Sequence, residues 1–170
     1  MFYKVVFKKF NQKRVRYVVV GGLAVNLQGV PRFTKDIDII IDMEEKNIVK
    51  CIEALQTLHY KPRVPVNPFD FAKADIRERW VREKKMIVFS FFDAKEPFWE
   101  IDIVMQQKIP FDKIQKSVEY VKSEGIKIPV ISIDNLILMK KEALRKQDVS
   151  DIESLKKLKR IRKNDKKKKK

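Results

Sequence analysis

Four acidic residues on two short stretches carry the chemistry open to this sequence. Asp36-Ile37-Asp38-Ile39-Ile40-Ile41-Asp42 reads as a strand, and so does Phe98-Trp99-Glu100-Ile101-Asp102-Ile103-Val104. Side chains at i and i+2 of a strand share a face. Asp36 and Asp38 therefore stand side by side, about 6 to 7 Å apart at the backbone. Ile37, Ile39 and Ile41 fill the opposite face, and their burial sets the register. Aspartate is a poor strand former, and two on one face repel unless something positive lies between them. A divalent metal answers that need: Mg²⁺ takes hard oxygen ligands, usually one or two carboxylates plus phosphate oxygens. Glu100 and Asp102 repeat the pattern, with Ile101 and Ile103 on the other face. Neighbouring strands run about 4.8 Å apart, so adjacency of the two brings Asp102 up to the Asp36/Asp38 pair. Three carboxylates at one point are the ligand set of a two-metal phosphoryl-transfer site. Alternating Asp and Ile is also the pattern of a sheet with one face in water, so the surrounding elements have to decide.

Upstream, a β-branched strand over residues 16–20 ends in Gly21-Gly22, followed by a short helix over 23–28 that Gly29 and Pro31 stop. Glycine at such a turn lets backbone N–H groups approach a phosphate, and the helix start favours the anion. Arg32, Thr34 and Lys35 then place two cations and a hydroxyl near that phosphate position. Further along, Ile48, Cys51, Ile52 and Leu55 have helical spacing within 44–58. Residues 61–68 hold three prolines and read as irregular, and 69–84 as a charged helix. Strands over 86–92 and 98–105 flank a hairpin loop at 93–97. A short helix over 111–117 precedes a strand pair, 119–122 and 126–131, turning at Gly125. Helices over 134–145 and 149–161 end the pattern. The expected fold class is α+β: a mixed sheet with helices against it and a helical C-terminal segment. The domain is expected to span 1–160, with a flexible basic tail over 161–170 that frays from about Asn164.

The chain has 170 residues, enough for one self-sufficient core. A single cysteine, Cys51, excludes an internal disulfide and a cysteine-based zinc site. A single histidine, His59, excludes His-rich metal chemistry and argues against a Ser-His-Asp triad. No apolar run approaches the roughly 20 residues that span a bilayer, and the start lacks a signal-peptide pattern. A cytoplasmic protein is the expectation. The net charge of +16 is uneven: residues 156–170 carry +10 and the rest +6. A lysine run of this density attracts nucleic acid or another polyanion, or serves only as a solubilising tail; both readings stay open.

Gly21-Gly22-Leu23-Ala24 followed by Arg32-Phe33-Thr34-Lys35-Asp36-Ile37-Asp38 resembles the signature of the nucleotidyltransferase superfamily, the polymerase-beta-like fold, where a Gly-Ser or Gly-Gly turn precedes an Asp-x-Asp strand. The form is similar to the small prokaryotic branch that includes AbiEii-type toxins. The later Glu100-x-Asp102 and the segment Leu136 to Asp151 (LILMKKEALRKQDVSD) add to the likeness, which covers Tyr17 to about Leu158 and is weakest over 61–85. The resemblance implies that Asp36 and Asp38 bind Mg²⁺ or Mn²⁺, two ions per site. It makes Asp102 the third ligand and the general base. Gly21 and Gly22 would cradle the phosphates of a nucleoside triphosphate, beside Arg32 and Thr34. Lys140, or secondarily Lys141, would meet the triphosphate. Gly22 stands where many members carry a serine.

The implied reaction moves a nucleoside monophosphate to an acceptor hydroxyl on RNA, protein or a small molecule and releases pyrophosphate. The alternative is a catalytically decayed scaffold that binds nucleic acid or pairs with a neighbouring-gene protein as in toxin–antitoxin systems. No membrane partner is expected. Among the remaining polar residues, Glu100 is read as a support for Asp102, and Asp42 as a cap of the following helix. Asp151 is read as helix-start charge, Asp148 as that or as an acceptor-side acid. Arg145 faces either phosphate or Glu142. Cys51 is read as inert.

Overall fold

The computed structural model describes residues 3–168. The strands are β1 (Tyr17–Val19), β2 (Asp36–Ile41), β3 (Tyr60–Pro62), β4 (Val88–Asp93), β5 (Glu100–Val104), β6 (Glu119–Ser123) and β7 (Ile126–Val130). The helices are α1 (Tyr3–Gln12), α2 (Gly21–Leu27), α3 (Glu45–Thr57), α4 (Ala74–Lys84), α5 (Phe111–Lys116), α6 (Ile133–Ala143) and α7 (Lys146–Lys168), with a 3₁₀ turn at Pro68–Ala72. One mixed sheet runs in the order β3-β4-β5-β2-β1-β7-β6. β2 pairs parallel with β5 and β1 parallel with β7, and the other pairs are antiparallel. The fold is α+β with a helical C-terminal end, in agreement with the expectation.

Burial explains the central elements. Ile37, Ile39 and Ile41 of β2 and Ile101 and Ile103 of β5 are fully buried. Ile40 is buried as well, on the face that Asp36 and Asp38 share. That face is therefore polar only at the start of β2, and the carboxylates are confined to one end of the sheet. In α3, Ile48, Cys51, Ile52 and Leu55 form the buried stripe, as their spacing requires. At the β6–β7 turn both Glu124 and Gly125 have positive φ, the conformation of a two-residue hairpin loop matched to sheet twist.

Three segments differ from the sequence reading. α1 is an additional helix, built on Tyr3, Val6, Phe7 and Phe10, all buried. The proline-rich stretch contributes β3, with Pro62 on an edge strand where a missing N–H costs no ladder bond. The helix expected over 69–84 is two pieces. Asn67 Oδ1 accepts from Phe69 N at 3.1 Å and starts the 3₁₀ turn, and extended Lys73 separates it from α4. α7 runs through Asn164 to Lys168, and the remainder of the segment expected to fray, residues 169–170, lies outside the described residues. Arg162 anchors that helix to Glu119 at 2.9 Å and to the Gln28 carbonyl at 2.6 Å. Among the described residues, no helix is long and apolar enough to cross a membrane.

Candidate active site

The parallel pairing of β2 with β5 sets the site. Its register places Asp36 opposite Glu100 and Asp38 opposite Asp102. Asp36, Asp38 and Asp102 thus meet at the start of the two strands, each half-buried. Burial and mutual repulsion show in the acidities of Asp36 and Asp38. Burial first, and the Asp102 charge second, push the Asp38 carboxyl up to about 6, against the opposing pull of the Gly22 N–H. Burial also raises Asp36, opposed by the Lys35 ammonium, whose Nζ is 3.8 Å from Asp36 Oδ1. Asp36 Oδ1 and Asp102 Oδ1 are buried with no hydrogen-bond partner. Orphaned carboxylate oxygens that repel one another are the donor set a hard divalent cation satisfies. Among the described residues, no three acidic, histidine or cysteine side chains already form a closed cage. Closure would draw on side-chain rotation and on oxygens brought by a substrate.

The glycine turn lies directly against these carboxylates. Val20 N donates to the Asp38 carbonyl at 2.9 Å, so the chain leaves β1 beside Asp38 and enters α2 at once. Gly21 has φ +62°, and a Cβ there would lie 1.9 Å from Asp38 Oδ2. Only glycine fits, for both backbone and contact reasons. Gly22 donates its N–H to the Asp38 carboxylate. A Cβ on Gly22 would lie 3.0 Å from Arg32 Nη1 and 3.0 Å from Thr34 Oγ1. A serine there would crowd the Arg32 and Thr34 side chains, which would have to give by a few tenths of an ångström. Thr34 Oγ1 also donates to the Asp36 carbonyl at 3.2 Å, which shapes the entry into β2.

A second charged cluster closes the site from the C-terminal side. Lys140 of α6 is 5% exposed. Its Nζ reaches Asp148 Oδ1 at 2.9 Å and Asp151 Oδ2 at 2.7 Å, both near the start of α7. Asp151 Oδ2 also accepts from Arg32 Nη1 at 2.7 Å. Asp148 Oδ2 accepts from Arg145 N at 3.0 Å. Burial pushes the Asp148 carboxyl up, but the Lys140 ammonium and the Arg145 N–H outweigh it and hold the group below its ordinary value. The exposed Arg145 guanidinium lies near enough to Asp38 to oppose the rise of its carboxyl.

The structure therefore brings Asp36, Asp38, Asp102, Gly21, Gly22, Arg32 and Thr34 together. It turns Lys140 elsewhere: the ammonium expected to meet a triphosphate is enclosed by two carboxylates. Glu100, read as a support for Asp102, instead sits opposite Asp36 and pairs with Arg63. Asp151, read as helix-start charge, is the hub between Lys140 and Arg32. Asp42 accepts from Glu44 N at 3.1 Å and pairs with Arg16, shaping the approach to α3. Arg145 at the α6–α7 junction belongs to the site. Of its two expected settings, phosphate or Glu142, its place right after left-handed Leu144 favours the first, since it lies within electrostatic reach of Asp38. Burial pushes the Cys51 thiol up to about 12, which keeps it unreactive. A separate cavity of about 590 Å³ opens at the β3 edge beside His59, Tyr60 and Pro62, and none of the carboxylates lines it.

Residues 4–165 match the family described as nucleotidyltransferase of unknown function (DUF6036). No curated protein matches the sequence. Among solved structures, the chain is similar to the lincosamide antibiotic adenylyltransferase LnuA with lincomycin bound. That match has 20% identity and a TM-score of 0.60, over 92% of this chain and 94% of that one. ANT(2″)-Ia in complex with adenylyl-2″-tobramycin matches at 11% identity and a TM-score of 0.59, over 99% and 97% of the two chains. An antigenic nucleotidyltransferase-like protein from Paracoccidioides brasiliensis matches at 14% identity and a TM-score of 0.55, over 89% and 72%. At these identities the structures share the fold. The AbiEii-type branch stays a resemblance. Because the matched span takes in both acidic strands, the glycine turn and nearly all of the C-terminal helices, the chain belongs to the DUF6036 family of nucleotidyltransferases.

Proposed function

We propose that this protein transfers a nucleoside monophosphate from a nucleoside triphosphate to an acceptor hydroxyl, with Mg²⁺ or Mn²⁺ held by Asp36, Asp38 and Asp102. One observation carries the reading: Asp36, Asp38 and Asp102 converge at the start of a parallel strand pair, two of them with orphaned buried oxygens. Bound divalent ions would neutralise the charge developing on the α-phosphate and the departing pyrophosphate. The chain supplies the rest. Arg32, Thr34 and the Gly21-Gly22 turn receive the phosphates, with Arg145 at the outer side. Asp102, level with Asp38, accepts the proton of the acceptor hydroxyl as its oxygen attacks phosphorus in line. The bond from the α-phosphorus to the bridging oxygen breaks, and pyrophosphate carries the electrons away. Positioning and charge stabilisation supply most of the acceleration.

The acceptor is a hydroxyl on RNA, protein or a small molecule. The lincomycin and tobramycin ligands of the structurally similar enzymes support the small-molecule case. The exposed lysines of α7, Lys156, Lys157, Lys159 and Lys163 among them, support a second reading: a nucleic-acid-binding scaffold whose chemistry has decayed. Thermal denaturation separates the two. Mg²⁺ with a nucleoside triphosphate should raise the melting temperature of wild type by several degrees and leave Asp36→Asn unmoved. A mutant that gains as much as wild type removes Asp36 from the assignment.

A further inference from the structure

Among the described residues, Lys140 is the one buried cation of the C-terminal helices, and its surroundings show what it does. Its ammonium meets two carboxylates, Asp148 at 2.9 Å and Asp151 at 2.7 Å, whose side chains are 9% and 7% exposed. With Arg32 the group holds two cations and two carboxylates, a neutral set. Drawing Lys140 out toward a triphosphate would leave two buried carboxylates facing one guanidinium, and an uncompensated buried charge is strongly unfavourable. Lys140 is thus held where it is.

Arg32 is placed differently. Its Nη1 donates to the same oxygen of Asp151 that Lys140 holds, at 2.7 Å. Its backbone carbonyl accepts from the Asn26 side chain at 2.9 Å, which fixes the loop it stands on. The guanidinium carbon and Nη1 both lie 3.0 Å from the point where a Cβ on Gly22 would stand. The planar fork therefore rests on the glycine turn. Its Nε is buried with no partner. A guanidinium with an uncommitted buried donor, laid against a Gly-Gly turn beside the carboxylates, has the geometry that suits a phosphate oxygen.

Building on the proposed nucleotidyl transfer, we infer that Lys140 is a positioning residue: through Asp148 and Asp151 it holds the Arg32 guanidinium on the Gly21-Gly22 turn, and Arg32 is the cation that meets the phosphates. The long-range pair between Arg32 and Asp151 also clamps the start of α7 onto the turn, so the C-terminal helices complete the phosphate subsite without touching the substrate through Lys140.

Asp151→Asn gives opposite signs for the two roles. It removes a negative charge beside a phosphate site and leaves the Lys140–Asp148 pair balanced. If Lys140 meets phosphate directly, freeing it strengthens anion binding. If Asp151 positions Arg32, binding weakens despite the more favourable net charge. The probe is inorganic tripolyphosphate with Mg²⁺, titrated calorimetrically into the full chain, with melting temperatures measured alongside. The expected result is roughly a tenfold loss of affinity in Asp151→Asn. Unchanged or tighter binding overturns the inference. Should that variant fail to fold, the charge-balanced double variant Lys140→Met/Asp148→Asn is compared in wild-type and Arg32→Gln backgrounds. A loss of affinity in the first and none in the second supports action through Arg32. Equal factors in both backgrounds overturn it. Wild type that binds no tripolyphosphate with Mg²⁺ overturns the nucleotidyl-transfer reading and this inference together. Binding that needs Asp36 but ignores Asp151 overturns this inference alone.

Discussion

Asp38 carries a proton-linked cost that can be measured. Its carboxyl titrates near 6 in the native protein, against 3.8 for the free group. Between those values the native state holds more protons than the unfolded state, so stability falls as pH rises. The cost is absent below about pH 4, where both states are protonated, and is fully developed above about 6, on the order of 2 to 3 kcal/mol. Asp38→Asn isolates it: without divalent metal the variant should match wild type near pH 4 and exceed it at pH 7, as read by urea denaturation. Equal stability at both pH values would count against an uncompensated carboxylate. For the same reason, stabilisation by Mg²⁺ should be weak at pH 5 and strong at pH 7.5, because the metal competes with the proton. Gly21 gives a steric test. With φ +62° and the Asp38 carboxylate where a Cβ would go, Gly21→Ala should cost at least about 2 kcal/mol and abolish the Mg²⁺-dependent rise in melting temperature. A variant that keeps both would show the turn is not pressed against Asp38.

Whole strands and helices differ in how far their sequence announces them. β2 and β5 were readable because buried isoleucines alternate with acids, so pattern fixes both register and the face of each carboxylate. α1 is readable in principle, since Tyr3, Val6, Phe7 and Phe10 have helical spacing, but its lysines and short apolar run make the segment resemble a chain start rather than a core helix. The Lys140 cluster was not readable. Asp148 and Asp151 lie 8 and 11 residues from Lys140, and Arg32 lies 119 residues from Asp151, and only the turn of α6 into α7 at Leu144 brings the acids to Lys140. The Arg63–Glu100 pair was hidden for a like reason, since it depends on where the β3 edge ends. Asn47 is a further hidden tie. It is 3% exposed, accepts from Arg16 N at 2.7 Å and donates to the Arg16 carbonyl at 3.0 Å and the Asp42 carbonyl at 2.8 Å. It thereby joins α3 to the entry of β1 and the exit of β2. Asn47→Ala orphans those groups and should cost about 2 to 4 kcal/mol, measured by chemical denaturation. A loss below about 0.5 kcal/mol would show that water replaces the amide.

Across the whole molecule, charge and chemistry are segregated. The strand end holds the acids, and α7 carries the excess of positive charge away from it. Among the described residues, Arg162 is the last of α7 with bonds to the body, so deletion of residues 164–170 should leave the melting temperature within about 2 °C. If the lysine run serves a polyanion, the same deletion should flatten the salt dependence of RNA binding; unchanged salt dependence would leave solubility as its role. The single measurement that tests the account most directly is transfer of labelled phosphate. The protein is incubated with each α-³²P-labelled nucleoside triphosphate, Mg²⁺, and total RNA or lysate, in wild type and in Asp102→Asn. The account predicts a labelled acceptor and released pyrophosphate with wild type, and at least a hundredfold less with Asp102→Asn. Undiminished labelling by Asp102→Asn would contradict it.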